Sequence, residues 1–150
     1  MTDIVLPPDT NYHGTIFGGN VMAYMDKVAS IAAMRHCRSQ VVTASSDSLD
    51  FLAPIRTGEA ICLEGYVSWT HNTSMEIYVK AEAENLLTGE RRLTSQAYLT
   101  FVALDENNKP IEVPPVLPET EEERWNYRTA KDRYEIRNRR RKIMKEQFPR

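Results

Sequence analysis

The sequence predicts an α+β fold in which one long helix packs against a long antiparallel sheet. Between Val21 and Ala33 the apolar residues recur with a period near 3.6, which is typical of a helix that buries one face. Four later stretches alternate apolar and polar residues with a period of two, which is typical of strands with one buried face. Short turns separate these stretches, so we expect antiparallel neighbours, and the apolar surfaces of helix and sheet require each other.

The chain begins with a brief apolar run, Ile4 to Leu6, which predicts a short strand that ends at Pro7 and Pro8. A glycine-rich loop follows, and the predicted helix runs from about Gly19 to His36. Glycine is a poor interior helix residue, but it suits a bare helix N-terminus that another group approaches closely.

The four strands are predicted at residues 42–53, 59–71, 75–83 and 91–104. Turn residues mark the connections at Thr57-Gly58, His71-Asn72-Thr73 and Thr88-Gly89-Glu90. Strands of about 10–14 residues span ~35–45 Å, whereas a helix of about 18 residues spans ~27 Å. The predicted sheet is therefore long enough to curve around the helix.

Residues 119–150 are predicted to form a charged helical tail that follows a body of residues 1–118. Thr120 and the three glutamates after it fit a capping box at a helix start. The tail has eleven Lys/Arg against seven Asp/Glu, a balance of +4, and the body has eight against fourteen, a balance of −6. Clustered bases attract phosphate, so nucleic-acid binding is one alternative. The acidic body favours instead a tail that is solvated or contacts another subunit.

Composition indicates an ordinary globular domain. The 150 residues are 41% hydrophobic and 27% charged. No apolar run is long enough for a membrane span, and the N-terminus lacks the pattern of a signal peptide. Cys37 and Cys62 provide neither a disulfide framework nor a metal-binding pair. We therefore expect a cytoplasmic protein without a membrane span.

Several familiar catalytic sites are excluded by the sequence. His13, His36 and His71 are scattered, without metal-ligand spacing, so we expect no metal. No G-x-S-x-G elbow of a serine esterase is present, and the glycines fit neither a Walker nor a dinucleotide fingerprint. Cys37 lacks a clear base partner, which favours an inert thiol over a nucleophile.

The polar residues that remain surround one helix, and they are Asn11, His13, Gly18, Gly19, Asp26 and Thr43. Asp26 lies at the edge of the apolar stripe, where a carboxylate loses hydration unless a neighbour compensates. Taken alone, it is typical of a boundary aspartate bonded to nearby backbone. Taken with the N–H groups of Gly18 and Gly19, it suits acyl transfer to water, because a carboxylate activates water or attacks a carbonyl and backbone N–H groups stabilise an oxyanion.

Four blocks of sequence carry a family resemblance. They are N-x-x-G-x-I-F-G-G-x-V-M-x-x-M-D-x-x-A from residue 11, V-V-T-A-S-x-D-x-x-x-F-x-x-P-I-x-x-G from residue 41, T-S-M-E-I-x-V from residue 73, and the TGER turn with A-Y-L-T-F-V-A-L-D. In this order, over about residues 10–110, the chain resembles the cytosolic acyl-CoA thioesterases of the hotdog fold. That fold is a long central helix wrapped by a curved antiparallel sheet.

The resemblance implies hydrolysis of acyl-CoA to free acid and coenzyme A without a cofactor. It also implies homodimers whose sheets join edge to edge, commonly assembled into hexamers, with each active site at a dimer interface. Asp26 matches the family's catalytic acid, acting as general base or as nucleophile. Asn11 matches its partner from the facing subunit, which orients the thioester carbonyl or the water. Thr43 matches a polar strand residue near Asp26, and the amides of Gly18 and Gly19 would polarise the thioester oxygen.

A few further positions are candidates for contact with the substrate. Thr73 and Ser74 lie at a strand start where relatives approach coenzyme A. Arg91 and Arg92 are candidates for its phosphates on charge alone, with an exposed strand-end pair as the alternative. His13 either lines the site or has no special role.

Two other functions stay open from the sequence. Hotdog domains also serve as acyl-CoA-binding regulators without catalysis, although Asp26 is present and no helix-turn-helix pattern precedes the domain. A hotdog dehydratase or isomerase would pair a histidine with an acid on the helix, whereas His36 lies ten residues beyond Asp26.

Overall fold

A computed structural model describes residues 1–148 of the chain. Its strands and helices are β1 (Thr2–Ile4), α1 (Gly18–Cys37), β2 (Gln40–Phe51), β3 (Ala60–His71), β4 (Ser74–Glu84), β5 (Arg91–Leu104) and α2 (Glu121–Gln147). The five strands form one sheet in the order β1-β3-β4-β5-β2, and every neighbouring pair is antiparallel. With α1 packed on one face, this is the predicted α+β hotdog architecture, which is confirmed.

The predicted boundaries of the long elements agree with the structure to within two residues, and the three-residue strand at the N-terminus is displaced by the same amount. The strand predicted at residues 4–6 is wrong by two positions, because β1 occupies residues 2–4. Pro7 and Pro8 open a short 3-10 helix, Pro7–Asp9, and Leu6 serves as its N-cap. The chain must therefore leave the sheet before Leu6 rather than after it.

The apolar stripe of α1 packs on the inner face of the sheet. Its buried side chains are Val21, Met25, Val28, Ala29 and Ala33. They meet the inward residues of β3, β4 and β5, which follow the predicted period of two. Gly65 on β3 is the point of closest approach, since a Cβ there would lie 2.9 Å from a methyl group of Val28. A glycine at this position lets the helix lie directly on the sheet.

The opposite, outer face of the sheet is covered by α2 through polar side chains. The residues of α2 that face the sheet are Asn126, Ala130, Arg133, Arg137 and Arg140, at the spacing of a single helix face. The capping box predicted at Thr120 is present, since its hydroxyl accepts from Glu123 N and the Glu123 carboxylate accepts from Thr120 N. The predicted C-terminal helix is present, and it lies on the polar side of the sheet of its own chain.

Two buried carboxylates anchor α2. Glu76 on β4 is fully buried and accepts hydrogen bonds from Arg133 at 2.8 and 2.9 Å and from Ser68 Oγ at 2.7 Å. Asp47 on β2 accepts from Arg137 at 2.9 Å and from Arg140 at 2.7 Å. Each charge has lost most of its water, so the partner guanidinium is what makes its burial tolerable.

Within residues 1–148, neither long helix has the length and apolar character needed to cross a membrane.

We predict that Glu76→Ala lowers the free energy of unfolding by about 3–5 kcal/mol, because it leaves the Arg133 guanidinium buried without its counter-charge. Urea or thermal denaturation measures the change. Glu64→Ala is the control, since its carboxylate is 71% exposed and 3.8 Å from Lys80, and it should cost less than about 1 kcal/mol. Equal losses in the two variants would show that the buried pair does not anchor the helix.

A second prediction concerns the ion pair of Glu59 with Arg92, which joins the β2–β3 connection to β5. The two side chains make two contacts, at 2.6 and 2.8 Å, and the Arg92 guanidinium lowers the pKa of Glu59 from its usual 4.5 to about 2. Because the folded state favours the ionised form, the pair stabilises fully above pH 4.5, and this contribution is lost as the pH falls toward 2.

Comparing wild type with Glu59→Gln by denaturation from pH 7 down to pH 3 tests this second prediction. The stability difference should be constant above about pH 5 and should shrink below it. The exposed Glu106 provides the control, since Glu106→Gln should show a small and nearly pH-independent difference. A Glu59→Gln difference that stays constant down to pH 3 would contradict the assignment.

Candidate active site

Asp26 and Thr43 are held together by a direct hydrogen bond. Thr43 Oγ1 donates to Asp26 Oδ1 at 2.9 Å. Asp26 is half-buried on α1 at the edge of the apolar stripe, and Thr43 is exposed on β2, an edge strand of the sheet. One carboxylate oxygen is thus fixed by a strand hydroxyl, and Oδ2 is left to accept a hydrogen bond or a proton.

Asn11 lies in the loop before α1, and its side chain organises that loop. Asn11 Oδ1 accepts from His13 N at 2.9 Å and from Thr15 N and Thr15 Oγ1 at 3.4 and 3.2 Å. All three partners are donors, so they engage the amide oxygen. The two hydrogens on Nδ2 are what Asn11 can offer to a ligand.

The N-terminus of α1 is unusually bare. Its N-cap residue is Phe17, which makes no side-chain cap hydrogen bond. The N–H groups of Gly18 and Gly19 lie in the first turn, where no carbonyl of the helix is available to them. A Cβ at Gly18 would lie 3.4 Å from the ring of Phe51, and one at Gly19 would lie 3.2 Å from the ring of Phe17. Glycine at both positions keeps the backbone of this turn accessible between two aromatic rings.

Within one chain, the predicted catalytic residues form two groups rather than one. Gly18 and Asp26 are eight residues apart on α1, which corresponds to ~12 Å along the helix axis. Asn11 belongs to the Gly18 group, because its loop leads directly into α1. No hydrogen bond joins Asn11 to Asp26 in the part of the chain that the structure describes. A single carbonyl group cannot reach both groups of the same chain.

The predicted substrate-binding residues are divided in the same way. Ser74 pairs with Val102, which in turn pairs with Val42, so Ser74 is at the end of the sheet that carries Thr43. Arg91 lies at the other end of β4 and β5, where its Nε donates to Glu84 at 2.7 Å. Thr73 precedes Ser74 in the β3–β4 turn. Arg92, the alternative cation, is already engaged by Glu59 and by a backbone carbonyl.

The residues considered for other chemistries lie apart from Asp26. His36 Nε2 is 2.7 Å from the carbonyl oxygen of Pro114, and His71 packs against Trp69 and Tyr134. Cys37 Sγ contacts a backbone carbonyl at 3.7 Å. Within residues 1–148, no histidine makes a hydrogen bond or ion pair with Asp26, which is the pairing that a dehydratase of this fold requires.

A cavity of about 390 Å³ opens beside the N-terminus of α1. Its walls are mostly apolar and comprise Ile16, Gly18, Val21, Phe51, Leu52, Ala53, Pro54, Ile55, Thr94 and Ser95. Of these, only Gly18 was a site candidate from the sequence. The signal that the sequence offered was the apolar pair Phe51-Leu52, which ends two residues before Pro54 and is exposed in the structure. A larger cavity of about 730 Å³ lies between α1, β3 and the start of α2, but no predicted site residue lines it.

Comparison with known sequences shows similarity to thioesterases. The sequence profile of the thioesterase superfamily matches residues 13–90. The chain is 53% identical over 94% of its length to an uncharacterized acyl-CoA thioester hydrolase of Bacillus subtilis, of which it covers 82%. It is 39% identical to the cytosolic acyl coenzyme A thioester hydrolase of Rattus norvegicus over 89% of its own length, but it spans only 36% of that protein.

Two solved structures are similar over nearly the whole chain. A hexameric acyl-CoA thioesterase without ligand is 55% identical, with a TM-score of 0.91 over 93% of this chain and 90% of that one. An acyl-CoA hydrolase of Staphylococcus aureus, solved with butyryl coenzyme A, coenzyme A and coenzyme A disulfide, is 45% identical, with a TM-score of 0.94 over 98% of this chain and 90% of that one. The chain therefore belongs to the thioesterase superfamily, and within it to the acyl-CoA thioester hydrolases.

Proposed function

We propose that the protein hydrolyses acyl-CoA to a free acid and coenzyme A, with Asp26 as the catalytic carboxylate. The observation that carries this proposal is the 2.9 Å hydrogen bond from Thr43 Oγ1 to Asp26 Oδ1. It orients a half-buried carboxylate at the edge of the helix and leaves one oxygen free. A boundary aspartate that served only the helix would need no strand hydroxyl to orient it.

In this mechanism Asp26 Oδ2 removes a proton from water, and the water oxygen attacks the thioester carbonyl. The new C–O bond converts the carbonyl oxygen into an oxyanion. When the oxyanion collapses, the C–S bond breaks, and the proton held by Asp26 passes to the departing sulfur of coenzyme A. Thr43 keeps Oδ1 occupied, so the proton transfers take place at the other oxygen. In the alternative route, the Asp26 carboxylate attacks the carbonyl itself, the C–S bond breaks, and coenzyme A leaves as a thiolate. Water then hydrolyses the mixed anhydride, which releases the free acid and regenerates Asp26, and the proton from water passes to the thiolate.

The oxyanion is stabilised by donors from a second subunit. The Nδ2 hydrogens of Asn11 and the N–H groups of Gly18 and Gly19 are such donors, and they lie too far from Asp26 of the same chain. Strand β2, which carries Thr43, lies at the edge of the sheet and pairs only with β5. The backbone groups along its other side have no neighbouring strand in the single chain. Edge-to-edge pairing of two sheets at β2 would bring Asp26 of one subunit to the Asn11 loop of the other.

Variants solved for the S. aureus enzyme support this set of residues. In three of them an asparagine, an aspartate or a threonine is replaced by alanine, and those residues are 15 and 17 positions apart along that chain. Asn11, Asp26 and Thr43 have the same two spacings here.

We propose the remaining assignments on the same basis. Thr73, Ser74 and Arg91 contact the coenzyme A portion, with Arg91 exchanging its partner Glu84 for a phosphate. Dimers of this chain assemble into hexamers, in keeping with a relative described as hexameric. We place the protein in the cytoplasm, in keeping with the relative of R. norvegicus named as cytosolic. The reaction as written needs no cofactor.

We predict that Asp26→Asn reduces kcat/KM for acyl-CoA by about 10²–10⁴-fold, because an amide cannot take the proton from water. Release of the coenzyme A thiol is measured across a series of acyl chain lengths. Asp132→Asn, an exposed aspartate on α2, is the control and should retain wild-type activity. If Asp26→Asn turned over its best substrate as fast as wild type does, the assignment of Asp26 would be wrong.

The two-subunit site makes a separate prediction. Asn11→Asp keeps the oxygen that organises the loop but removes the N–H donor, so it should be inactive, as should Asp26→Asn. Co-refolding the two variants in equal amounts should restore about a quarter of wild-type activity, since half of the dimers are mixed and each mixed dimer has one intact site.

The control for complementation is a mixture of Asp26→Asn with Thr43→Val. Both substitutions fall in the same half of the site, so no dimer of this mixture has an intact site. Recovery in the first mixture and none in the second is the expected result. No recovery in either mixture, with mixed dimers confirmed by mass spectrometry, would place the complete site within one chain.

A further inference from the structure

Ser95 is an unexpected residue at its place in the sheet. It lies on the inner face of β5, between Ala81 of β4 and Phe51 of β2, and it is 99% buried. The other inward residues of β5 from Ala97 to Ala103 are all apolar and belong to the core. Within residues 1–148, the Ser95 hydroxyl has no hydrogen-bond partner. Burial of an unpaired hydroxyl costs free energy that alanine would avoid, so packing alone does not account for a serine here.

Ser95 also lines the cavity of about 390 Å³ that opens beside Gly18. Thr94, the other hydroxyl on this cavity, already donates to the carbonyl of Ala81 at 2.9 Å. The rest of the lining offers hydrocarbon surface and, at Gly18, a backbone N–H of the first turn of α1. The cavity therefore combines a long apolar wall, one amide at a helix start and one free hydroxyl.

We infer that Ser95 is a specificity-determining residue that hydrogen-bonds an oxygen substituent on the acyl chain, so that this cavity selects hydroxy- or oxoacyl groups over unsubstituted ones. The inference rests on the proposed function, since it assumes that the thioester oxygen binds at Gly18. An acyl chain anchored there enters the cavity and passes Ser95. A plain hydrocarbon leaves the hydroxyl unpaired, whereas a chain with an oxygen substituent at the right depth satisfies it.

The experiment measures kcat/KM for butyryl-CoA and for 2-, 3- and 4-hydroxybutyryl-CoA, with wild type and with Ser95→Ala. Three isomers are needed because the carbon that carries the hydroxyl sets its depth in the cavity. For at least one isomer, the ratio of hydroxybutyryl to butyryl turnover should fall about tenfold in Ser95→Ala. Ser95→Ala should still hydrolyse butyryl-CoA at a measurable rate, which shows that the variant folds.

Thr100→Val is the matched control. Thr100 is also on β5, 97% buried and without a partner for its hydroxyl among the described residues, but it does not line the cavity. Its substitution should leave every ratio within about twofold of wild type. Unchanged ratios for all three isomers in Ser95→Ala, with butyryl-CoA still hydrolysed, would overturn the inference and leave Ser95 bonded to water only. Failure of wild type to hydrolyse these four substrates and every acyl-CoA of the chain-length series would instead overturn the proposed function.

Discussion

The packing of α1 on the inner face of the sheet is the constraint on which the rest of the structure depends. The helix buries five side chains there, and Gly65 allows its backbone to approach the strands closely. Because the stripe fixes the rotation of the helix, it also fixes where the polar residues at its edge point. Asp26 is thereby presented to Thr43 on the neighbouring strand. The same interaction that builds the core therefore orients the proposed catalytic carboxylate.

The length of α1 also determines how far apart the two groups of proposed site residues lie. The helix carries an N-terminus without a side-chain cap and, about two turns away, the carboxylate of Asp26. A compact site cannot be assembled from these parts within one chain. The fold supplies two complementary halves and an unpaired edge strand beside one of them. Assembly is thus a requirement of the proposed chemistry rather than an addition to it.

The outer face of the sheet follows a different physical rule. It is covered through guanidinium–carboxylate pairs and tyrosine hydroxyls rather than through an apolar stripe. Tyr66 and Tyr98 both hydrogen-bond the buried Asn126, and their burial raises the pKa of both phenols. The guanidinium–carboxylate pairs contribute more to the geometry of this face than to stability, because both charges lose hydration when a pair forms. They specify where the C-terminal helix lies, and they make its position sensitive to the loss of any one partner.

The sequence by itself determined the long helix, the four long strands and the residue types of the site, because periods of 3.6 and two record which side of each element is buried. It also located Asn11, Asp26 and Thr43 as candidates. Only the tertiary structure showed that these residues form two groups, that α2 covers the polar face, and that Ser95 lines a cavity. Periodicity describes one element at a time, whereas these three features depend on distances between elements. Three arginines of α2 that face the sheet, Arg133, Arg137 and Arg140, were missed for a related reason. A helix face that packs through charged side chains has no apolar period.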